Sequence, residues 1–220
     1  MSMRVLVVDD QDLFRAGFRL ILDSQPDITV VGAAADGLEA VELTCELAPD
    51  VVVMDVRMPR MDGVAATARI CAQTSAKVLV LTMFDLDEYV YDALRAGASG
   101  FLLKDARREQ LIDAVRVIAA GDALLAPAVT RRLIADLAHR GQPRPDLIRQ
   151  LDELTERERD ILRNLARGLS NAELAAALVV SEHTVKSHIS SMLTKLGLRD
   201  RVQAVVFAYE AGLVVPGRSA

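Results

Sequence analysis

Residues 51–63 have the sequence VVVMDVRMPRMDG, in which four consecutive apolar residues lead directly to Asp55. Similar short apolar runs recur on both sides of this one, at 5–8, 28–31, 78–81 and 101–103. Apolar residues at helical spacing fill the gaps between the runs, for example over 13–21. Strands that alternate with helices and are apolar throughout indicate a parallel sheet buried on both faces. The sequence therefore predicts an α/β domain with a five-stranded, doubly wound parallel sheet.

The sequence changes character beyond about residue 125. A helical stretch over 129–138 leads into GQPRPD at 141–146, where two prolines and a glycine disfavour regular structure and indicate a linker. Every later segment has the pattern of a helix. We therefore predict a sheet domain over 1–122, a linker with a helix over 123–150 and an all-helical domain over 151–220.

Composition narrows the class of protein. The 220 residues are 51% hydrophobic and 26% charged, which is typical of a globular chain with a sizeable core. No apolar run approaches the length of a membrane span, and no signal-peptide core precedes Asp9, so we expect a cytoplasmic protein without membrane contact. Cys45 and Cys71 lack metal-ligand spacing, and we expect both to be small buried residues in a reducing cytosol.

Polar residues stand where the predicted strands end, which is the edge at which open parallel sheets bind ligands. They are Asp9, Asp10, Asp55, Thr82 and Lys104. Three carboxylates at one edge repel each other unless a hard cation lies among them, and Mg²⁺ suits a few carboxylates plus waters. An ionised Asp55 can attack phosphorus to form an acyl phosphate, while Mg²⁺ and the Lys104 ammonium neutralise phosphoryl oxygens and the Thr82 hydroxyl positions one of them. We assign Asp55 as phosphoacceptor, with Asp9, Asp10 and Asp55 as metal ligands.

Four motifs in this half occur in the order and spacing of a known family, namely VVDD at 7–10, MDVRMPRMDG at 54–63, VLVLT at 78–82 and GFLLK at 100–104. By these motifs the stretch from Val5 to about Ala120 resembles the receiver domain of two-component response regulators. The resemblance implies a flavodoxin-like or CheY-like sheet, a backbone carbonyl of Arg57 on Mg²⁺, and phosphorylation of Asp55 by a sensor histidine kinase. It also implies that Phe101 is a switch aromatic that turns inward on phosphorylation, and that the chain is a regulator with at most slow autodephosphorylation.

Two positions depart from many receivers. Met83 follows Thr82 where a small residue is common, and Asp105 follows Lys104 in place of a proline. We expect Met83 and Phe84 to crowd the phosphoryl site and slow the attack of water on the phosphoaspartate.

The helical domain has the pattern of a DNA-binding module. Its half of the chain, residues 121–220, carries 14 basic and 12 acidic side chains, against 12 and 19 in residues 1–120. Thr155 and Ser170 each precede a glutamate by three residues and open a helix, and Ser181 caps a third that runs to Gly197. In the third helix one stripe is apolar, and the short turn before it fits a helix-turn-helix with this helix in the major groove. The predicted DNA contacts are Thr184, Lys186, Ser187, His188, Ser190, Lys195 and Arg201.

Three sequence blocks of this domain, LTERE at 154–158, GLSNAELA at 168–175 and SEHTVKSHISSMLTKLG at 181–197, resemble the LuxR-type DNA-binding domain. Together with the receiver they give the layout of the NarL/FixJ subfamily of response regulators. The resemblance implies a transcriptional regulator that binds double-stranded DNA, with RNA polymerase as a further partner. Because the helical half has little net positive charge, we expect a homodimer, formed on phosphorylation, on a two-fold or direct-repeat operator.

Four alternatives compete with this interpretation. An aspartyl-nucleophile phosphatase of the haloacid-dehalogenase type needs a second carboxylate two positions after the nucleophile, where Arg57 stands. Flavin or dinucleotide binding needs a glycine-rich phosphate loop after the first strand, where the two aspartates stand instead. A receiver that serves as a dimerisation module without phosphorylation, and a sigma-factor-like helical module, remain open, although the complete acidic site and the attached receiver argue against them.

Overall fold

The computed structural model describes residues 2–83, 87–121 and 144–214. Met1–Leu124 and Leu125–Ala220 form two compact units. In the first unit strands and helices alternate in the order β1 (Met3–Val8), α1 (Asp12–Asp23), β2 (Ile28–Ala34), α2 (Gly37–Leu47), β3 (Val51–Asp55), α3 (Gly63–Gln73), β4 (Lys77–Thr82), α4 (Asp87–Arg95), β5 (Gly100–Leu103) and α5 (Arg108–Ala119).

The five strands form one parallel sheet in the order β2-β1-β3-β4-β5. Strands β1, β3 and β4 are buried along most of their length, which explains why their sequences are apolar without alternation. The chain leaves β1 first toward one edge and then toward the other, so the carboxyl ends of β1 and β3 flank the point where the strand order reverses. The predicted doubly wound sheet is confirmed.

Helices cover both faces of the sheet. On one face α1 and α5 bury a continuous core against alternate residues of the strands, including Val5, Val7, Val53, Leu79 and Leu81. On the other face α2 contacts β1 and β2, α3 contacts β3 and β4, and α4 packs against α3. This two-sided burial holds the strand ends in fixed positions and therefore fixes the side chains that follow them.

The second unit contains five helices within its described residues. They are α6 (Pro145–Leu151), α7 (Glu156–Ala166), α8 (Asn171–Leu178), α9 (Glu182–Leu196) and α10 (Arg201–Glu210). Both predicted capping boxes are present, since the Thr155 and Ser170 hydroxyls accept from the backbone N–H three residues on. Ser181 caps α9 and Gly197 ends it at φ 63°. The predicted all-helical unit is confirmed.

Some predictions were wrong or concern residues outside the described ranges. Cys45 is exposed and Cys71 is half-buried, because the buried faces of α2 and α3 are formed by other residues, Thr44 and Ile70 among them. The predicted helix over 129–138, Pro143 and Phe84 lie outside the described residues. Among the helices of the described ranges, none is both long enough and apolar enough to cross a bilayer.

Candidate functional site

The sheet brings four of the predicted residues to one edge. Asp55 and Thr82 are the last residues of β3 and β4, while Asp9 and Lys104 directly follow β1 and β5. The Lys104 backbone N–H donates to the Thr82 carbonyl oxygen at 2.8 Å, which continues the β4–β5 pairing to the site. All four side chains are buried. The four residues therefore lie at the carboxyl ends of four parallel strands, as the sequence predicts.

The Lys104 ammonium lies between two carboxylates. Its Nζ is 2.7 Å from Asp9 Oδ2 and 3.0 Å from Asp55 Oδ2. It also lies over the ring of Phe14 on α1, 4.8 Å from the ring centroid, within the range of a cation–π contact. Phe14 stacks on Phe18 of the core. The ammonium is thus held from three directions, and sequence reasoning missed Phe14 because its helical spacing indicated core packing.

Asp55 has a perturbed proton affinity. Burial raises the pKa of its carboxyl above the usual value, and the charge of Asp9 raises it further. The hydrogen bond and charge of Lys104 and the Val56 backbone N–H, which donates to Asp55 Oδ1 at 2.8 Å, act in the opposite direction. A nucleophilic carboxylate must be ionised, so a further positive charge at this edge favours the reactive form.

The acidic residues fit a divalent cation. Carboxylate oxygens of Asp9, Asp10 and Asp55 all lie within 4.8 Å of one another. Asp9 Oδ2 is buried and, although Lys104 Nζ is near, it accepts no hydrogen bond of good geometry. A buried carboxylate oxygen with unused acceptor capacity and two neighbouring carboxylates is a donor set that suits Mg²⁺. Arg57 lies in the loop after β3 with its side chain exposed, two residues beyond Asp55.

The loop after Asp55 turns sharply because of Gly63. The Gly63 N–H donates to the Val56 carbonyl oxygen at 2.8 Å, and a Cβ at this position would overlap the Asp55 carbonyl oxygen. Asp62 caps α3 by accepting from the Ala65 N–H at 2.7 Å. Sequence reasoning did not single out Gly63, although the Asp-Gly pair in MDG is a turn signal.

Phe101 and Met83 have contrasting environments. The Phe101 side chain is buried in β5 opposite Val80, so its ring already lies inside the protein. Met83 is half-exposed beside Thr82. The switch role of Phe101 and the effect of Met83 on phosphate lifetime stay predictions.

Helices α8 and α9 form the predicted helix-turn-helix. Val185, Ile189, Met192 and Leu196 of α9 are buried and Leu193 is half-buried, as the spacing predicts. The opposite face exposes Lys186, Ser187, Ser190 and Thr194. Thr184 and His188 are half-buried at its border. An exposed face of one ammonium and several hydroxyls suits hydrogen bonding to DNA.

Two predicted DNA contacts have partners inside the domain. Lys195 Nζ donates to Glu158 Oε2 at 2.7 Å. Arg201 donates to Asn171 Oδ1 at 3.0 Å and to the Leu169 carbonyl oxygen, at the start of α8. Lys195 therefore links α9 to α7, and Arg201 links α10 to the start of α8, which the sequence alone did not reveal.

Two family models match the chain in succession. The response regulator receiver domain matches residues 5–116, and the luxR family of bacterial regulatory proteins matches residues 152–208. The chain is a response regulator of the NarL/FixJ type. The four strand-end residues lie within the first match and the helix-turn-helix within the second. The fold described above thus belongs to a transcription regulator with a DNA-binding domain.

Similar proteins match this response regulator along its length. It is 42% identical to the transcriptional regulatory protein YxjL of Bacillus subtilis, over 97% of this chain and 98% of that one. It is 40% identical to LiaR of the same organism, over 96% of this chain and 99% of that one. Among solved structures, ChrA, the response regulator of a heme-sensing two-component system, is 39% identical with a TM-score of 0.53, covering 97% of this chain and 99% of that one.

Proposed function

We propose that this response regulator accepts a phosphoryl group on Asp55 from a sensor histidine kinase, and that phosphorylation controls its dimerisation and its binding to promoters. The observation that carries the proposal is the placement of Lys104 Nζ at 2.7 Å from Asp9 and 3.0 Å from Asp55. An ammonium in this position neutralises a phosphoryl oxygen as soon as one arrives at Asp55.

In the proposed reaction an Asp55 carboxylate oxygen attacks the phosphorus of a phosphoramidate on the kinase. The phosphorus–nitrogen bond breaks, an acyl phosphate forms, and the leaving imidazole takes up a proton. Lys104 then pairs with the phosphoryl group, and the Thr82 hydroxyl at the end of β4 donates to another of its oxygens. No side chain is proposed to activate water, so the product hydrolyses slowly and the protein is a regulator with no catalytic turnover of a substrate.

The proposed cofactor is Mg²⁺, held by Asp9, Asp10, Asp55 and the backbone carbonyl of Arg57. When bound, it neutralises oxygens of the transferred group and favours the ionised form of Asp55, whose pKa burial otherwise raises. Buried Asp9 is kept in place by the Gln11 N–H, which donates to its Oδ1 at 3.0 Å. The residue that follows β1 is therefore oriented before any cation arrives.

The output side of the proposal is α9 in the major groove of double-stranded DNA. Lys186 and Ser187 are proposed to contact base edges, with Ser190 beside them and Thr184 and His188 near the phosphates. Two copies would bind half-sites of a two-fold or direct-repeat operator, and RNA polymerase is the proposed further partner. We propose that the receiver domain spans 1–122, the linker 123–150 and the DNA-binding domain 151–220. The proposed location of the protein is the cytoplasm.

An intact-mass measurement tests the phosphoacceptor. The full-length protein is incubated with Mg²⁺ and acetyl phosphate, and its mass and oligomeric state are compared with those of Asp55→Ala. We expect one phosphoryl adduct and a shift toward dimer in the wild type, with neither in the variant. An adduct that persists in Asp55→Ala would show that another residue is the acceptor, and no adduct on the wild type would reduce the receiver to a scaffold.

A further inference from the structure

The first turn of α7 touches both helices of the helix-turn-helix. Arg157 and Glu158 are consecutive residues there, and they contact different partners. Arg157 Nη2 donates to the Leu178 carbonyl oxygen at 2.7 Å, at the end of α8. Glu158 accepts from two side chains of α9, Ser191 Oγ at 2.9 Å and Lys195 Nζ at 2.7 Å.

Glu158 is unusual because it is a buried carboxylate with a complete set of donors. Its side chain is almost fully buried, and in addition to α9 it accepts from the Thr155 N–H at 2.9 Å and the Thr155 hydroxyl at 3.0 Å. These four donors fix the orientation of the Glu158 carboxylate, because two of them come from Thr155 at the start of α7 and two from α9. Burial by itself would raise the pKa of Glu158, but Lys195 and the other donors lower it to about 2, so the group stays ionised.

Ser191 and Lys195 are four residues apart and therefore lie on one face of α9. Two bonds along one face fix both the rotation and the axial position of the helix. The DNA-facing residues Lys186, Ser187 and Ser190 are on the same rigid helix, so their position depends on those two bonds.

We propose that Arg157 and Glu158 form a clamp that sets the position of α9 against α8, and that Lys195 serves this clamp and contacts no DNA phosphate. The inference rests on the proposed binding of DNA through α9. It makes Glu158 and Lys195 positioning residues, and it removes one cation from the predicted phosphate contacts.

Salt dependence distinguishes a clamp from a phosphate contact. Each phosphate contact that is lost reduces the slope of log affinity against log salt by about 0.9. The probe is a duplex that the wild-type full-length protein, treated with acetyl phosphate, selects from a randomised pool. Affinity is measured by fluorescence anisotropy over a salt series for the wild type, K195M, the double variant E158Q/K195M, and K186M as the control at an exposed DNA-facing lysine.

The clamp predicts that K195M weakens binding on the order of tenfold with an unchanged salt slope, because a buried Glu158 without its cation displaces α9. In E158Q/K195M no buried charge remains, the glutamine oxygen still accepts from Thr155 and its amide can donate to the Ser191 hydroxyl, which keeps one of the two bonds to α9. Affinity therefore returns to within about threefold of the wild type. Thermal unfolding should follow the same order. If K195M does not fold, the double variant still gives the answer.

A different pattern would overturn the clamp. If K195M and E158Q/K195M bind equally weakly, with the salt slope reduced by about 0.9 in both, Lys195 is a phosphate contact. That result leaves the proposed function intact, since the wild type still binds its selected duplex. If the wild type enriches no duplex at all, the proposed function fails, and with it the clamp as an element of DNA recognition.

Discussion

Replacing Lys104 with methionine (K104M) removes the cation from between two buried carboxylates. Its Nζ lies 2.7 Å from Asp9 Oδ2 and 3.0 Å from Asp55 Oδ2. At an effective dielectric constant of about 20, each pair contributes roughly 5–6 kcal/mol of Coulomb attraction before the desolvation of the charges is subtracted. Methionine needs no such desolvation, but it leaves the two carboxylates without a counter-charge. Breaking a buried ion pair in this way costs about 3–5 kcal/mol, and we expect a loss of about 3 kcal/mol in the receiver.

The pH dependence gives the sign of this effect. Burial and the charge of Asp9 already raise the pKa of Asp55, and the loss of Lys104 raises it further, so the Asp55 carboxyl of K104M becomes neutral at a higher pH than that of the wild type. The difference in the free energy of unfolding between the wild type and K104M should therefore be large at neutral pH and decrease as the pH is lowered. Added Mg²⁺ at neutral pH should also reduce it, because a second cation replaces the lost one.

Urea unfolding of the receiver followed by far-ultraviolet circular dichroism measures this deficit at neutral and acid pH. The matched control is K77M, because the Lys77 ammonium donates to the Ala119 carbonyl oxygen at 3.3 Å. K77M should lose less stability than K104M at neutral pH, and its loss should change little with pH. A K104M deficit of the same size at both pH values, or no deficit at all, would refute the electrostatic reasoning.

Three further predictions concern single positions. Gly63→Ala should destabilise the receiver by about 3 kcal/mol, because the new Cβ overlaps the Asp55 carbonyl oxygen. Gly17→Ala should be neutral or stabilising, because a Cβ there meets nothing within 4 Å. Equal effects of the two substitutions in urea unfolding would contradict this. Val179→Gly should stabilise the helical unit by about 1 kcal/mol, because Val179 is exposed and its φ of 56° is unfavourable for a β-branched residue but not for glycine. An unchanged or lower melting temperature of the variant would contradict this prediction. Ionised Glu158 contributes stability that is fully present above its ordinary pKa of 4.5 and is lost as the pH falls toward about 2. The melting temperature of Glu158→Gln should therefore fall less than that of the wild type over this pH range. Identical melting temperatures of the two proteins at every acid pH would contradict the prediction.

The sheet and its site could be predicted because their signals are local. Each buried parallel strand is a short apolar run, and the residue at its end is the one that reaches the edge of the sheet. Asp9, Asp55, Thr82 and Lys104 could therefore be placed together from their positions in the sequence. Capping boxes at Thr155 and Ser170 are likewise local, and both were found where the sequence predicts them.

Contacts between distant elements could not be predicted in the same way. Lys195 has the same pattern as a solvated or phosphate-binding lysine, and its partner Glu158 lies 37 residues away on another helix. The capping-box role of Glu158 is visible in the sequence, but its burial against α9 depends on tertiary packing. Phe14 belongs to the apolar helical pattern over 13–21, and its contact with the Lys104 ammonium depends on how α1 packs against the sheet.

The affinity for DNA, measured with and without phosphorylation, tests the central claim most directly. Fluorescence anisotropy with the selected duplex is recorded for the wild type and Asp55→Ala, each with Mg²⁺ in the presence and absence of acetyl phosphate. The account predicts that acetyl phosphate changes the affinity of the wild type and leaves that of Asp55→Ala unchanged. Equal affinities of the wild type in both conditions, with the phosphoryl adduct confirmed by mass, would contradict it.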